Sequence, residues 1–371
     1  MREYALVLSV VAGVTYLLTP IARRVATAVG ALAKVRDRDV HTIPTPYGGG
    51  IAMYLGVAAG LLVASRLPAL QTVFQETRQA QAVLLAGGLI CVVGAIDDRW
   101  GLDALTKLAG QTLAAGVMVL QGVQLLYLPD PRQSHNFFSL SPDIGVPLTV
   151  LLVVLTINAI NFVDGLDGLA AGVVGIAALA FFVYSYQLSV VRGIERAFPA
   201  ALITAALTGA CVGFLPHNFN PARIFMGDSG SMLIGLLLAA GTISITGQLD
   251  PSTLNGLDLF PVALPLLLPL AVIAVPLVDV LLAVIRRTRK GRSPFSPDKL
   301  HLHHRLLEIG HSQTRAVLIM YLWSALLAFG AVGVSVTHGP LLMLGAAVGV
   351  TVLAVLASSV PRLRAVRRTG S

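Results

Sequence analysis

The sequence predicts an all-α integral membrane protein, and three observations lead to this fold class. Of its 371 residues, 56% are hydrophobic and only 12% are charged, and the mean hydropathy is +0.81. Apolar runs of the length needed to cross a bilayer, about 20 residues, recur along the whole chain. Because soluble domains carry about 25% charged residues, this composition excludes a water-exposed globular protein, and its apolar content excludes disorder.

Eleven apolar runs predict eleven membrane-spanning helices in a single polytopic domain that covers residues 1–371. In chain order the runs lie at about residues 4–22, 48–66, 81–96, 104–121, 145–161, 168–188, 199–215, 229–247, 260–285, 316–336 and 339–360. The third run is short, and the ninth contains three prolines, which predict a kinked helix. Basic residues follow the first run rather than precede it, so we expect an uncleaved helix instead of a signal peptide.

Lys and Arg residues are distributed unequally between the two sides of these helices. With the N-terminus outside, 20 of the 26 Lys and Arg residues fall in cytoplasmic segments. Since basic residues are retained on the cytoplasmic side, we expect the N-terminus outside and the C-terminus in the cytoplasm. The net charge of +8 therefore marks membrane topology and gives no reason to expect a nucleic-acid partner. The two cysteines lie in apolar runs and predict neither a disulfide framework nor a metal site.

Polar motifs occupy five predicted cytoplasmic loops. The loops lie near residues 34–50, 97–107, 158–168, 217–231 and 286–315. Polar residues at membrane depth are costly and are usually functional. The first loop runs from His41 to Gly50 and contains two prolines and three consecutive glycines. The glycines allow close backbone approach to a ligand, but a plain loop with tight helix packing explains them equally well.

The second motif is a pair of aspartates, Asp97 and Asp98, at the end of the third helix. Adjacent carboxylates repel each other unless a cation or a proton lies between them. We therefore expect this pair to act on a charged ligand, with a solvated loop as the alternative. Asp103 and Lys107 follow at a spacing of four residues. An ion pair on the helix surface explains these two residues as well as a role at the site does.

The third motif places polar residues at intervals of three: Asn158, Asn161, Asp164 and Asp167. In a turn-like backbone this spacing puts the four side chains on one side. Their oxygens are suitable ligands for Mg²⁺ and suitable hydrogen-bonding partners for a base or a ribose. Capping and turn formation are the alternative.

The fourth motif runs from His217 to Ser231, opens the eighth helix, and contains Asn218, Phe225 and Asp228. A carboxylate beside glycines and free backbone N–H groups suits a magnesium–phosphate group, with N-capping by Asp228 as the alternative.

The fifth motif lies in the basic loop after the ninth helix and consists of His301, His303, His304 and Arg305. No cysteine or further clustered ligand supports a zinc site, and an anion clamp on phosphates fits better. A solvated loop attracted to anionic lipids is the alternative. For Asp279, in the ninth run, an ion pair with Arg286 and a direct role both stay open.

The predicted topology brings the glycine-bearing motifs together on one face. The second, sixth and eighth helices all begin on the cytoplasmic side, so their positive ends and free amides can converge beside the carboxylates. This arrangement indicates a site for a phosphate-bearing ligand, and its position at the lipid boundary indicates phosphoryl chemistry between a soluble and a lipid substrate.

Four segments carry a resemblance to a known family: Asp97–Asp98, Asn158–Gly172, Asn218–Gly235 and His301–His304. They resemble, in the same order, the signature motifs of the polyprenyl-phosphate N-acetylhexosamine-1-phosphate transferase superfamily, which includes glycosyltransferase family 4. The resemblance extends from about residue 41 to residue 315. The stretch His-Leu-His-His-Arg-Leu-Leu is more similar to the bacterial N-acetylglucosamine-1-phosphate branch than to the phospho-MurNAc-pentapeptide translocases.

This resemblance implies the transfer of N-acetylglucosamine 1-phosphate from UDP-GlcNAc to a polyprenyl phosphate, at the cytoplasmic face of a bacterial plasma membrane. It implies Mg²⁺ as cofactor, with Mn²⁺ as a substitute, on Asp228 and Asn161. By the same resemblance Asp97, Asp98 and Asp228 are catalytic. We expect substrate binding by His41, Lys107, Asn158, Asp164, Asp167, Asn218, Phe225, His301, His303, His304 and Arg305.

Similarity of residues 296–321 to actinobacterial members implies a decaprenyl carrier, with undecaprenyl as the alternative. Membrane lipids are expected partners, and relatives suggest a homodimer. The same chemistry on another UDP-sugar, such as UDP-MurNAc-pentapeptide, is the second hypothesis. A membrane transporter is the non-enzymatic one, since broken helices and intramembrane charges also occur in transporters.

Overall fold

A computed structural model describes residues 1–33, 44–129, 137–246 and 312–336 of the chain. This part is mostly helical, as predicted. Its α-helices are α1 (Arg2–Ala28), α2 (Gly49–Ala64), α3 (Gln71–Glu76), α4 (Gln79–Trp100), α5 (Ala104–Leu120), α6 (Pro142–Val163), α7 (Leu169–Tyr186), α8 (Phe198–Asn218), α9 (Gly227–Thr246) and α10 (Gln313–Val336). Single helical turns of other types lie at Pro68–Leu70, Gln187–Val191 and Glu195–Ala197.

Seven of the described helices are long and apolar enough to cross a bilayer, namely α1, α4 and α6 to α10. Helix α2 and its continuation Pro68–Glu76 form a bent pair that would make an eighth span, and α5 is a shorter apolar helix of 17 residues. Nine of the eleven predicted runs coincide with these helices. The runs at 260–285 and 339–360 lie outside the described residues, so the count of eleven and the orientation stay predictions.

Two of the predicted helices differ from expectation in length or shape. The run at 48–66 forms α2, which ends at Ala64. Beyond the run, the chain bends by 103° and a further helical segment begins at Pro68. Leu67 has an extended backbone, since the ring of a following proline disfavours the helical conformation. The third run, expected to be short, forms the 22-residue α4, which continues to Trp100 and carries Asp97 and Asp98 near its end.

A small β-hairpin between α5 and α6 is an element that the sequence did not predict. Strands β1 (Tyr127–Pro129) and β2 (Phe137–Ser139) pair antiparallel, with Tyr127 opposite Ser139. Three residues per strand offer too little alternation of polar and apolar side chains for a sequence pattern to reveal them.

Helix α9 lies at the centre of the described helices. Within its spanning segment 94% of the residues are buried, compared with 22% for α1. It packs against α2, α4, α6, α7 and α8, whereas α1 packs on α2 and α8, and α10 packs on α7. Because several helices surround α9, its first turn is held from more than one side.

Two glycines bring α2 and α4 into backbone contact with the first turn of α9. A Cβ atom on Gly50 of α2 would lie 2.2 Å from the backbone nitrogen of Gly230, and a Cβ atom on Gly94 of α4 would lie 2.3 Å from that of Ser229. Real Cβ atoms do not approach this closely, so both positions require glycine. The close packing places the ends of three helices around one site.

Candidate active site

The segments that precede α2, α7 and α9 meet, as the sequence predicted. The backbone N–H groups of Gly49 and Gly50 donate to the carbonyls of Phe225 and Met226, both at 3.1 Å. The N–H of Gly168, at the start of α7, donates to the Asn218 side chain at 3.0 Å. The expectation that such amides stay free for a phosphate is therefore wrong for these groups, because protein acceptors already use them.

Lys107 is the centre of the charged cluster at this site. Its Nζ atom lies 2.8 Å from Oδ2 of Asp97 and also donates to Oδ2 of Asp228. The three side chains keep between 13% and 24% of their surface exposed, so the cluster is half-buried and accessible to a ligand. The lysine relieves the repulsion between Asp97 and Asp228, which belong to different motifs, and not that between the neighbours Asp97 and Asp98.

Asp103 does not form the ion pair with Lys107 that its spacing suggested. Its Oδ1 atom instead accepts hydrogen bonds from the backbone N–H groups of Leu105 and Thr106, both at 3.0 Å, and so caps α5. The Thr106 hydroxyl and amide hold the pKa of the exposed Asp103 carboxyl below its usual value. The cap leaves Lys107 available to Asp97 and Asp228.

The two neighbouring aspartates face different parts of the structure. Oδ1 of Asp97 accepts the backbone N–H of Leu102 at 2.7 Å, while its Oδ2 faces Lys107. Asp98 accepts the backbone N–H groups of Asp228 and Ser229 at 2.7 and 3.2 Å, and the Ser229 hydroxyl at 2.9 Å. Asp98 of α4 therefore caps the N-terminus of α9, and the capping role considered for Asp228 belongs to Asp98.

Asn161 joins the charged cluster from α6. Its Nδ2 atom donates to Oδ1 of Asp228 and to the Ser231 hydroxyl, both at 2.8 Å. Asn158, one turn earlier, pairs with Gln111 of α5, whose Oε1 accepts its Nδ2 at 2.6 Å. Only one of the two asparagines thus faces Asp228.

Asp164 and Asp167 lie in the turn between α6 and α7 but have different surroundings. Burial, and to a smaller extent the nearby carboxylates of Asp228, Asp98 and Asp167, raise the pKa of Asp164 to about 8. Asp167 is 2% exposed, and its Oδ2 accepts the Asn220 side chain at 2.9 Å and the backbone N–H of Ala222 at 3.0 Å. The expectation that all four residues of this motif face one side is therefore wrong for Asp167, which faces the α8–α9 connection.

Asn218 and Phe225 build the wall on the α8–α9 side. The Asn218 side chain is buried and, besides accepting from Gly168, donates to the Ile224 carbonyl at 3.0 Å. The Phe225 ring lies 6.1 Å from the ring of Tyr47, centroid to centroid. Both predicted residues are thus within the converging segments, while their binding of substrate stays a prediction.

Two residues of the site were not predicted from the sequence. Gln111 is buried in the α5–α6 contact, and the hydroxyl of Tyr321 on α10 donates to the carbonyl of Gly168, with its ring against Gly172. Gln111 could have been found as a polar residue in an apolar helix, four residues after Lys107. Tyr321 gave no signal, because a tyrosine in an apolar run is ordinary.

The remaining predicted residues lie outside the described residues: His41, His301, His303, His304, Arg305 and Asp279.

The described residues offer oxygen donors for a cation, although no three His, Cys, Asp or Glu side chains among them form a metal site by themselves. Asp97 and Asp228 contribute carboxylates around one point, and Asn161 contributes an amide beside Asp228. Carboxylate and amide oxygens are the ligands that Mg²⁺ prefers. A lysine ammonium at the shared point shows that the position favours positive charge.

The fold and this site define a polytopic membrane protein with a charged cluster between α4, α5, α6 and α9, and the family follows from comparison with known proteins. Residues 80–247, which contain the whole cluster, match the model of glycosyl transferase family 4. The chain belongs to this family, which confirms the resemblance found in its motifs. The family also supports the prediction of a transferase.

The particular relatives carry more specific names. The chain is 50% identical over 368 residues to a decaprenyl-phosphate N-acetylglucosaminephosphotransferase of Mycolicibacterium smegmatis, which covers 98% of this chain and 90% of that protein. It is 49% identical over 365 residues to the protein of the same name from Mycobacterium tuberculosis, with 98% and 90% covered. An undecaprenyl-phosphate alpha-N-acetylglucosaminyl 1-phosphate transferase of Escherichia coli is 31% identical over 316 residues, with 83% and 77% covered.

Proposed function

We propose that this chain transfers N-acetylglucosamine 1-phosphate from UDP-GlcNAc to a polyprenyl phosphate, giving polyprenyl-diphospho-GlcNAc and UMP. The observation that carries the proposal is the Lys107 cluster, in which one cation and two carboxylates meet at the ends of apolar helices. Family membership and the names of the relatives support the same reaction. The reaction would be the first membrane step of a cell-envelope glycan pathway, at the cytoplasmic face of the bacterial membrane.

The chemistry needs little activation of the nucleophile. The second pKa of a phosphate monoester is about 6, so the lipid phosphate is mostly dianionic at neutral pH. Its main obstacle is repulsion from the anionic diphosphate of the donor. A phosphate oxygen of the lipid attacks the β-phosphorus, the bond from that phosphorus to the bridging oxygen breaks, and UMP leaves with that oxygen. Lys107 would reduce this repulsion, because its ammonium lies in the accessible cluster between Asp97 and Asp228.

Asp97 is the better candidate of the aspartate pair for acting on the lipid phosphate. Its Oδ2 atom faces Lys107 in the accessible cluster, whereas both oxygens of Asp98 face the backbone or hydroxyl of α9. Asp97 would orient the lipid phosphate or accept its remaining proton. Asp164, Asp167, Asn218 and Phe225 are proposed to line the uridine pocket, on the basis of the family resemblance.

We also propose that Asp228 and Asn161 hold Mg²⁺, or Mn²⁺ in its place. Both residues carry an oxygen of the kind that Mg²⁺ binds, and Asp228 contacts Lys107 at the centre of the cluster. The Asn161 amide, whose Nδ2 faces Asp228, would turn its Oδ1 to the ion. When bound, the ion would neutralise diphosphate charge and stabilise the charge that develops on UMP. Asn161 and Lys107 hold the Asp228 carboxylate in place for this role.

UDP-GlcNAc is the proposed donor because the relatives of this chain are named for N-acetylglucosamine phosphate transfer. The 50% identity to a decaprenyl-phosphate enzyme favours a decaprenyl acceptor over an undecaprenyl one. A homodimer stays a prediction from relatives.

The proposed function is tested by UMP release. The purified chain in detergent, given UDP-GlcNAc, Mg²⁺ and decaprenyl phosphate, should release UMP only when the lipid is present. UDP-MurNAc-pentapeptide is the competing donor in a parallel reaction. Faster release from that donor would move the assignment to the translocase reaction, and no release from either donor would contradict the proposal.

Isotope exchange tests the direct attack. Without any prenyl phosphate, labelled UMP should not enter UDP-GlcNAc, because single displacement leaves no enzyme-bound sugar phosphate to accept it. Exchange in lipid-free enzyme would show a covalent intermediate instead.

A further inference from the structure

Asp98 is the member of the aspartate pair that lies away from the accessible cluster. Its two carboxylate oxygens accept three hydrogen bonds from the first turn of α9, at 2.7, 3.2 and 2.9 Å. Two of the donors are backbone N–H groups, of Asp228 and Ser229, and the third is the Ser229 hydroxyl. The first turn of a helix leaves such N–H groups without partners inside the helix, so a carboxylate there acts as a charged cap.

The surrounding glycines fit this contact closely. Gly227 has a φ of 69°, in the left-handed region that glycine adopts readily, and a Cβ atom there would lie 2.4 Å from Oδ2 of Asp98. Gly94, one turn before Asp98 on α4, lacks the Cβ atom that would collide with Ser229. The backbone of α9 therefore approaches α4 closely enough for Asp98 to reach it, and the cap comes from a different helix.

The cap is directly connected to the proposed donor site. Asp98 binds the backbone N–H of Asp228, the residue whose carboxylate contacts Lys107 and Asn161. A shift of the first turn of α9 would move the Asp228 carboxylate by a similar distance, and small displacements of a binding group cost affinity steeply. Asp97 interacts with the Asp228 side chain, with Lys107 and with the N–H of Leu102, and among the described contacts it is Asp98 that binds the backbone of the first turn of α9.

We propose that Asp98 is a positioning residue that fixes Asp228 by capping α9, and that it does not act on the lipid phosphate. The inference rests on the proposed function, because there Asp228 holds the Mg²⁺ that would neutralise the diphosphate of the UDP-sugar. The two aspartates then have different roles. Asp97 acts on the lipid phosphate, which is the acceptor, and Asp98 supports donor binding by holding the backbone of α9.

Donor binding in the absence of lipid separates the two roles. In the Asp98→Asn variant, with Mg²⁺ and without polyprenyl phosphate, the Kd of UDP-GlcNAc should rise roughly five- to tenfold, as the loss of a charged helix cap predicts. The KM of the UDP-sugar should rise in parallel, while the KM of the lipid stays within about twofold. Asp143→Asn is the control, because Asp143 is an exposed carboxylate in the first turn of α6, at the opposite end of that helix from Asn161, and its donor Kd should equal that of the wild type.

A milder variant keeps the proposal testable if the Asp98→Asn variant does not fold. Ser229→Ala removes one of the three hydrogen bonds and should weaken donor binding by roughly two- to threefold. In the double variant Asp98→Asn with Ser229→Ala, the effect should be smaller than the product of the single effects, because both changes remove the same contact.

An unchanged donor Kd in both variants would overturn the inference, and so would a rise in the lipid KM alone, which would place Asp98 on the lipid phosphate. If the wild type neither binds UDP-GlcNAc nor releases UMP, the proposed function fails. If it does both and the variants do not differ from it, only the role of Asp98 fails.

Discussion

At the scale of single residues, the charge on Asp228 is the feature on which the proposed chemistry depends most. Its two oxygens contact a lysine from α5 and an asparagine from α6, so three helices converge on one carboxylate. No other described residue links the lysine to the α6 motif in this way. The first prediction therefore concerns this carboxylate.

Asp228→Ala should lower kcat by more than about a hundredfold, because it removes the proposed ligand of the cation and the partner of Lys107. Excess Mg²⁺ should not restore activity, since the missing group is the ligand itself. UMP release across a range of Mg²⁺ concentrations measures this. Near-normal turnover in the variant would exclude Asp228 as the metal ligand.

Asp164 predicts a pH dependence of stability. Its pKa is raised in the folded state to about 8, so folding favours the protonated carboxyl, and the wild type loses stability progressively as the pH rises from about 4, where the unfolded chain ionises, to about 8. Asp164→Asn keeps the neutral shape. Its melting temperature, relative to the wild type, should therefore rise as the pH increases from about 4 to 8 and level off above 8, in ligand-free protein with EDTA. A difference that does not change with pH would contradict the raised pKa.

The sequence identified residues that lie at the site, but it did not identify the residues with which they form hydrogen bonds. The spacing of the Asn158–Asp167 motif identified Asn161, which joins the cluster, but it did not show that Asn158 and Asp167 face other elements. The partners of Asn158 and Gly168, by contrast, are Gln111 and Tyr321, which lie 47 and 153 residues away. Neither spacing nor composition carries information on such pairs.

The sequence also did not predict that Asp97 and Asp98 contact different helices. Neighbouring residues on a helix point about 100° apart, so the two can meet different helices, but which one meets which depends on tertiary packing. The structure resolves this through the close approach of α4 and α9.

At the scale of elements, the first turn of α9 is the part on which the site depends, and glycine contacts hold it there. Gly50→Ala should destabilise the protein by about 1–3 kcal/mol, because its Cβ would lie 2.2 Å from backbone and neither helix can yield cheaply. Gly116→Ala on α5 is the matched control, since nothing lies within 4 Å of its Cβ position, and it should be neutral or slightly stabilising. Detergent-solubilised melting temperatures compare the two, and equal effects would contradict the packing argument.

The lengths of the apolar runs predicted most of the helices. The features that they did not predict have local causes. The bend after Ala64 depends on a proline at 68, and the end of α4 depends on capping by the groups around Gly101. Hydropathy reports neither feature, because the bend depends on the backbone preference of the residue before a proline and the end of α4 depends on the hydrogen bond of the Gly101 cap.

At the scale of the whole molecule, the orientation in the membrane is a prediction from charge that labelling can test. In a cysteine-free background, Ser139→Cys in the β-hairpin should react with a membrane-impermeant maleimide in intact cells, because it lies outside in the predicted topology. Ser312→Cys, just before α10, should react only after permeabilisation. Both serines are exposed, so accessibility does not limit the comparison. The reverse pattern would invert the topology and place the Lys107 cluster outside.

A donor labelled at two positions distinguishes transfer of a phosphosugar, which we propose for this chain, from transfer of the sugar alone. UDP-GlcNAc carrying one label in the sugar and another in the β-phosphate is incubated with the chain, Mg²⁺ and decaprenyl phosphate. We expect the lipid product to contain both labels in the ratio of the donor, and the released nucleotide to be UMP. Lipid product with the sugar label alone, together with released UDP, would contradict it.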